Sequence, residues 1–217
     1  MIGIAIPAHN EQALLGACLQ AACVAAAHPA LGGEPVQIVV VLDACSDGCA
    51  AVASGYPVDV LQLDARNVGI ARAAGAAALL ARGARWLAFT DADSRVAPDW
   101  LVAQLGLHAD AVCGPVSVDD WSAHPPHARD AFYLSYLDSD GHRHVHGANL
   151  GVSARAYQRV GGFPPLTCSE DVALIDLLVA AGARIAWSAA PRVVTSGRRD
   201  ARVRGGFGDT LAALAQA

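Results

Sequence analysis

Asp91 and Asp93 stand two residues apart at the end of an apolar run, in the stretch RWLAFTDADSRVAPDW at residues 85–100. Side chains two apart in an extended chain point to the same side. Like charges held together repel, so a strand that finishes by aiming two acids at one place calls for a cation or a hydrogen-bond donor. The plainer alternative is a strand-terminal turn, where Asp is favoured for its side-chain hydrogen bonds. The other strand ends favour function. Pro7, His9, Asn10 and Glu11 close the first apolar run, Asp43, Ser46 and Asp47 follow VQIVVVL, and Arg66, Asn67 and Arg72 follow VDVLQL.

Such residues need a scaffold that lines up strand ends. The early chain alternates strand IGIAIP, helix NEQALLGACLQAACVAAAH, strand VQIVVVL, a loop and short helix in DACSDGCAAVASG, strand VDVLQL, helix RNVGIARAAGAAALLARG and strand RWLAFT. This order predicts a parallel sheet with right-handed crossovers, which binds ligands outside the carboxyl ends of its strands. Asn10 is expected to cap the first helix, with Glu11 in the positive field of its N-terminus, and Asp47 to cap the helix after the second strand. The later chain is less regular. DWLVAQLGLH reads as a helix, DAVCGPVSV as a strand, residues 119–144 as a loop with an aromatic helix, VHGANLGVS as a strand, and ARAYQRVGGF as a short helix stopped by two glycines. In SEDVALIDLLVAAG, Ser169 is expected to cap a helix with Glu170 and Asp171 in its first turn and Val172, Leu174, Ile175, Leu178 and Val179 on its apolar face. RIAWS and RVVTS read as short strands, followed by a basic, glycine-containing segment and a last helix. No repeat or linker interrupts the sequence, so one domain is expected over residues 1–217.

Composition excludes several classes. The 217 residues suffice for one α/β domain with a sizeable core. Hydrophobic residues make up 54% and charged residues 16%, against about 25% charged in a typical domain. Net charge is −5 and no basic run is long, so nucleic acid is not an expected partner. The longest Ala-rich stretch, at 13–27, contains Gln20 and is shorter than the roughly 20 apolar residues a membrane span needs, so no insertion is expected. The opening MIGIAIPAHN has no basic n-region, so no export signal is read. Cys18, Cys23, Cys45, Cys49, Cys113 and Cys168 form no CxxC pair and read as reduced thiols of a cytoplasmic protein. No nearby His completes a zinc ligand set around Cys45 and Cys49.

Four blocks in order, IAIPAHNEQALLGACL, VVVLDACSDGCA, LAFTDADSRVAPDWL, and GANLGVSARAYQRVGGFPP followed by SEDVAL, resemble the family 2 glycosyltransferases of the GT-A fold over residues 2–199. The resemblance implies an α/β fold with a Rossmann-like, mostly parallel central sheet flanked by helices. It implies a metal-dependent, inverting transferase that moves a sugar from a nucleotide-sugar donor to a hydroxyl acceptor. Residues 1–100 would form the nucleotide-binding half, 101–199 the acceptor and catalytic half, and 200–217 a tail. By this resemblance Pro7, Ala8, His9, Asn10 and Glu11 lie against the nucleotide, and Asp43 accepts a base imino N–H, as on uracil or guanine. Arg72, and less so Arg66, contacts base or phosphate. Asp91, Ala92 and Asp93 form the metal motif, with Asp93 the direct ligand of Mg²⁺ or Mn²⁺ and Asp91 touching ribose or bound water. Asp171, beside Glu170, takes the acceptor's proton.

Two positions depart from the family pattern. Leu42 stands where an acid is usual, and no His occupies the metal-ligating place near Thr195 and Ser196, for which His144 or His146 are the candidate substitutes. Asn149 is expected on the acceptor side, and Arg198, Arg199, Arg202 and Arg204 in a segment that closes over the diphosphate. A catalytically degenerate nucleotide-sugar-binding protein of the same fold is the rival reading. A nucleotidyltransferase ranks lower, because PAHNEQ carries neither the glycine nor the basic residue of such loops.

Overall fold

The computed structural model describes residues 1–199 and 206–216; Arg202 and Arg204 lie outside them. The β-branched runs form the strands that lead the fold: β1 (Ile2–Ala8), β2 (Val36–Asp43), β3 (Asp59–Leu63) and β4 (Trp86–Phe89). Between them run α1 (Gln12–Ala26), α2 (Cys49–Ala53) and α3 (Val68–Ala81). The later chain adds β5 (Arg95–Val96), α4 (Trp100–Gly106), β6 (Ala111–Cys113), β7 (Ser117–Val118) and α5 (Pro126–Ser135). It then adds β8 (Leu150–Ser153), α6 (Ala154–Arg159), α7 (Glu170–Ala180), β9 (Ile185–Trp187), β10 (Val193–Thr195) and α8 (Phe207–Leu214).

Seven strands form one sheet in the order β3-β2-β1-β4-β8-β6-β9, and β5-β10-β7 form a small second sheet. β1 pairs in parallel with β2 on one side and β4 on the other. The chain therefore travels outward from β1 to β3 and then jumps back to β4. That reversal is the switch point at which open α/β sheets bind ligands, and it sets the residues after β1 beside Asp91 and Asp93.

Alternation along β1 divides the core. Ile4 and Ile6 pack with Leu15, Leu19 and Trp100 on one side, while Ala5 joins Val39, Val41 and Leu79 on the other. α3 rides close to that second face: a Cβ on Gly75 would lie 3.0 Å from Ala5 Cβ and 3.2 Å from Val41 Cγ2. The close approach seats Arg72, one turn earlier, over the strand ends.

The central sheet is mostly parallel, as expected; β8, which runs antiparallel to β4 and β6, is the exception. Three expectations need correction here. DAVCGPVSV is two strands in two sheets, because Pro115 has no N–H to continue the ladder beyond Cys113. The apolar face of α7 is Leu174, Ile175 and Leu178, whereas Val172 and Val179 are exposed. Asn149 is fully buried: it accepts from Trp100 Nε1 and donates to the carbonyls of Pro115 and Pro191, which makes it a core strut. Among the described residues, no helix is long and apolar enough to cross a membrane.

Candidate active site

The loops after the first three strands each turn through a left-handed residue: Asn10 at φ 54°, Ala44 at 52° and Arg66 at 49°. Each such turn costs a non-glycine residue about 1–2 kcal/mol, so something must hold it. Asp43 does this at the end of β2. Its buried carboxylate accepts the backbone N–H groups of Ala65, Arg66 and Asn67 at 2.7, 2.9 and 2.8 Å. His9 donates Nδ1–H to the Asp43 carbonyl at 2.7 Å.

Asn10 does not cap α1, which starts at Gln12 with Glu11 in the cap position. In its left-handed conformation Asn10 turns sideways, and its Oδ1 accepts from Ser46 N at 2.8 Å. Asp47 serves the N-termini of two helices, accepting from Gln12 N at 2.8 Å and Cys49 N at 3.1 Å. Ser169 holds the cap position of α7, yet it is left-handed and makes no side-chain capping bond. The ligand atoms of Cys45, Asp47 and Cys49 converge within 4.8 Å of one another. Cys45 donates to the Ala8 carbonyl and Cys49 accepts from Glu11 N. Burial, then Asp47, pushes the Cys49 thiol up to about 12. These groups fasten the β1–α1 loop to the β2–α2 loop.

Arg72 is the hub of the site. Its side chain is 4% exposed, and it donates Nε–H to Glu170 Oε1 at 2.8 Å, Nη2–H to Asp91 Oδ1 at 2.6 Å and Nη1–H to the Gly147 carbonyl at 2.7 Å. Burial opposes its charge, but Asp91 and Glu170 outweigh burial and hold its pKa above the ordinary value. Glu170 moves up because burial outweighs the help of Arg72. The Gly147 peptide carries the link onward, since its N–H donates to Asp171 Oδ2 at 2.7 Å. A Cβ on Gly147 would fall 2.2 Å from Arg72 Nη2, so this approach needs glycine. Arg72 thus joins the acid after β4 to the acid pair at the start of α7, and no cation–diphosphate role is needed to explain its burial.

Asp93 sits across from this hub. Its Oδ1 accepts from Ser94 Oγ at 3.1 Å, and the Ser94 and Thr195 hydroxyls are bonded to each other at 2.9 Å. Burial, with Asp91 adding to it, pushes Asp93 up to about 6. Arg198 bridges Asp93 and Glu11, and its positive charge enters the space between them. Further round, His144 stacks on Tyr136 with ring centroids 4.0 Å apart, and Tyr136 OH lies 2.8 Å from His146 Nε2. Burial, then His144, depresses His146 to about 4.

All of this surrounds one cavity of about 870 Å³. Pro7, Ala8, His9, Glu11, Asp43, Arg66, Arg72, Asp91, Ala92, Asp93, Glu170 and Asp171 line it, together with His144, His146, Thr195, Ser196 and Arg198. Of the residues expected to touch the nucleotide, Asn10 is the one outside this lining. The sequence reading missed Gly147, whose only signal was a glycine inside HGANLG, and missed the pairing of Arg72 with Glu170. Among the described residues, the six acids and three arginines of the lining leave a net charge of −3 with His neutral. Hard carboxylate oxygens at Asp91 and Asp93, with a guanidinium already drawn in beside them, fit a divalent cation.

The sequence matches glycosyl transferase family 2 over residues 3–157. Among the solved structures that share the fold are the following three. The mannosyltransferase PcManGT from Pyrobaculum calidifontis, in complex with GDP-Man and Mn²⁺, is 20% identical with TM-score 0.67, matching 93% of this chain and 58% of its own. S. aureus TarS 1-349 in complex with UDP-GlcNAc is 15% identical with TM-score 0.65, matching 95% and 61%. GalNAc-T7 with UDP, GalNAc and Mn²⁺ is 13% identical with TM-score 0.67, matching 100% and 47%. The chain therefore spans less than two thirds of each of these proteins. No curated protein matches the sequence.

Proposed function

The chain belongs to glycosyl transferase family 2, and from that premise we propose that it is a metal-dependent, inverting glycosyltransferase moving a sugar from a nucleoside-diphosphate donor to a hydroxyl acceptor. One observation carries the reading: Asp91 and Asp93 after β4, and Asp171 at the start of α7, face one cavity, and Arg72 with Gly147 ties Asp91 to Asp171. Residues 1–100 supply the nucleotide side, with Pro7, Ala8, His9, Glu11 and Asp43 along the strand ends, and residues 101–199 supply the base. Asp43 Oδ2 accepts one backbone N–H, which leaves it a lone pair for an imino N–H of uracil or guanine.

The described lining's net charge of −3 would repel a diphosphate unless a cation lies between them. Mg²⁺ or Mn²⁺ held by Asp93 and Asp91 would supply charge stabilisation for the departing diphosphate. Asp171 takes the acceptor hydroxyl's proton as that oxygen bonds to the anomeric carbon. The N–H groups of Gly147 and Val172 fix its two oxygens, so the carboxylate meets the acceptor already oriented. A base on the face opposite the leaving group gives inversion. Glu170 acts on this side through Arg72, as a partner that fixes the hub. Six free cysteines support a reducing, cytoplasmic setting.

The test is a transfer and hydrolysis assay with UDP- and GDP-sugars, with Mn²⁺ or EDTA, reading the product anomer by NMR. The proposal expects chelator-sensitive turnover with inversion. Retention of configuration, or full turnover in EDTA, refutes it; nucleotide binding without turnover on any acceptor supports the degenerate rival.

A further inference from the structure

Arg198 comes from the far end of the chain and reaches back 187 positions to Glu11. Its guanidinium grips that carboxylate with both forks, Nη1 to Oε2 at 2.7 Å and Nη2 to Oε1 at 2.6 Å, and Nη2 also lies 3.2 Å from Asp93 Oδ2. Glu11 and Asp93 are themselves largely buried, at 8% and 16% side-chain exposure. Two features make this contact more than a surface ion pair. First, the segment is anchored: Thr195 bonds Ser94, the neighbour of Asp93, and Ser196 Oγ accepts from Arg198 N. Second, Asp93 Oδ1 already has Ser94 as donor, so Arg198 takes the other oxygen, the one left for a cation.

We propose that Arg198 is an internal place-holder for the divalent cation, occupying its charge position until a nucleoside diphosphate arrives. This rests on the donor site described above. A cation approaching Asp93 alone must displace a guanidinium from its contact with Asp93 while the forked pairing with Glu11 holds that guanidinium in place. With a diphosphate present, the same guanidinium moves onto phosphate oxygens, whose geometry suits its fork. Cation and nucleotide binding are then positively coupled, and by linkage each raises the affinity for the other by the same factor. The chain's lack of a metal-ligating His near Thr195 and Ser196 fits this division: the segment after β10 brings a cation of its own.

The experiment titrates Mn²⁺ by EPR, and UDP and GDP by calorimetry, into wild type and Arg198→Ala. In wild type, Mn²⁺ alone binds weakly, and saturating UDP or GDP tightens it by about 10- to 100-fold, within the range usual for coupled sites. In Arg198→Ala, Mn²⁺ alone binds about tenfold or more tighter than in wild type, and the coupling factor collapses toward one. Arg198→Lys, which keeps a point charge without the fork, falls between the two and guards against a misfolded alanine variant. Equal Mn²⁺ affinity of wild type and Arg198→Ala without nucleotide overturns the place-holder while leaving the donor site intact. Failure of wild type to bind either nucleotide in Mn²⁺ overturns the donor site, and the place-holder with it.

Discussion

Replacing Arg72 by Met keeps its length and apolar stem but removes the charge between Asp91 and Glu170. The Arg72 and Glu170 side chains are 4% and 5% exposed, and removing one partner of a buried pair costs about 3–5 kcal/mol. Asp91 is 36% exposed, regains water and adds little, about 0–1 kcal/mol. The Gly147 carbonyl loses a donor, at about 1 kcal/mol. A loss of about 4–7 kcal/mol at pH 7 is therefore expected, a large part of the about 5–15 kcal/mol that holds a domain together. The pH dependence separates charge from packing. Glu170 has a raised pKa in the fold, so it favours the folded state below its unfolded pKa of about 4.3, and that contribution is lost as pH rises through the folded value. Without Arg72 the folded value rises further. The loss should therefore be greatest at pH 7–8 and shrink to about 1–2 kcal/mol as mild acid protonates Glu170. Urea unfolding followed by Trp fluorescence from pH 5 to 8 measures this, and adding Glu170→Gln should restore about 2 kcal/mol at pH 7. A loss below about 1 kcal/mol at pH 7, or one equal at both ends of the range, refutes the hub.

Asp171→Asn should lower turnover by about 10²- to 10⁴-fold with donor affinity nearly unchanged; equal losses in kcat and donor affinity would remove it as the base. His146 ordinarily titrates near 6.5 and is depressed to about 4 in the fold. Between those values the unfolded chain holds the proton and the folded chain does not, so stability falls as pH drops below about 6.5 and levels off near 4. The full difference is about 3 kcal/mol. His146→Phe should flatten that acid limb by the same amount in pH-resolved urea melts, and an unchanged limb contradicts the assignment.

The strand runs and the acids at their ends were legible because periodicity and residue type act locally. VQIVVVL has few alternatives to a central parallel strand, and its length fixes where Asp43 emerges. What could not be read were the partners. Glu170 looks like a first-turn acid until α3 brings Arg72 to it across 98 positions, and no local rule encodes that contact. Asn10 was misassigned because its left-handed backbone turns the side chain away from α1, a choice set by Ser46 on another loop. β5 is two residues long and exists only by pairing with β10, so it has no periodicity to find. Val172 and Val179 fit a helical stripe in sequence, but of that stripe Leu174, Ile175 and Leu178 are the residues buried in the core.

The most direct test of the donor site is crystallographic: crystals grown with UDP or GDP and Mn²⁺, with the metal located by anomalous scattering. The account expects one Mn²⁺ peak at coordination distance, about 2.1 Å, from an Asp93 oxygen and from diphosphate oxygens, with the base lying along His9 and Asp43. A nucleotide bound away from β1 and β4, or bound there with no metal at Asp93, contradicts it.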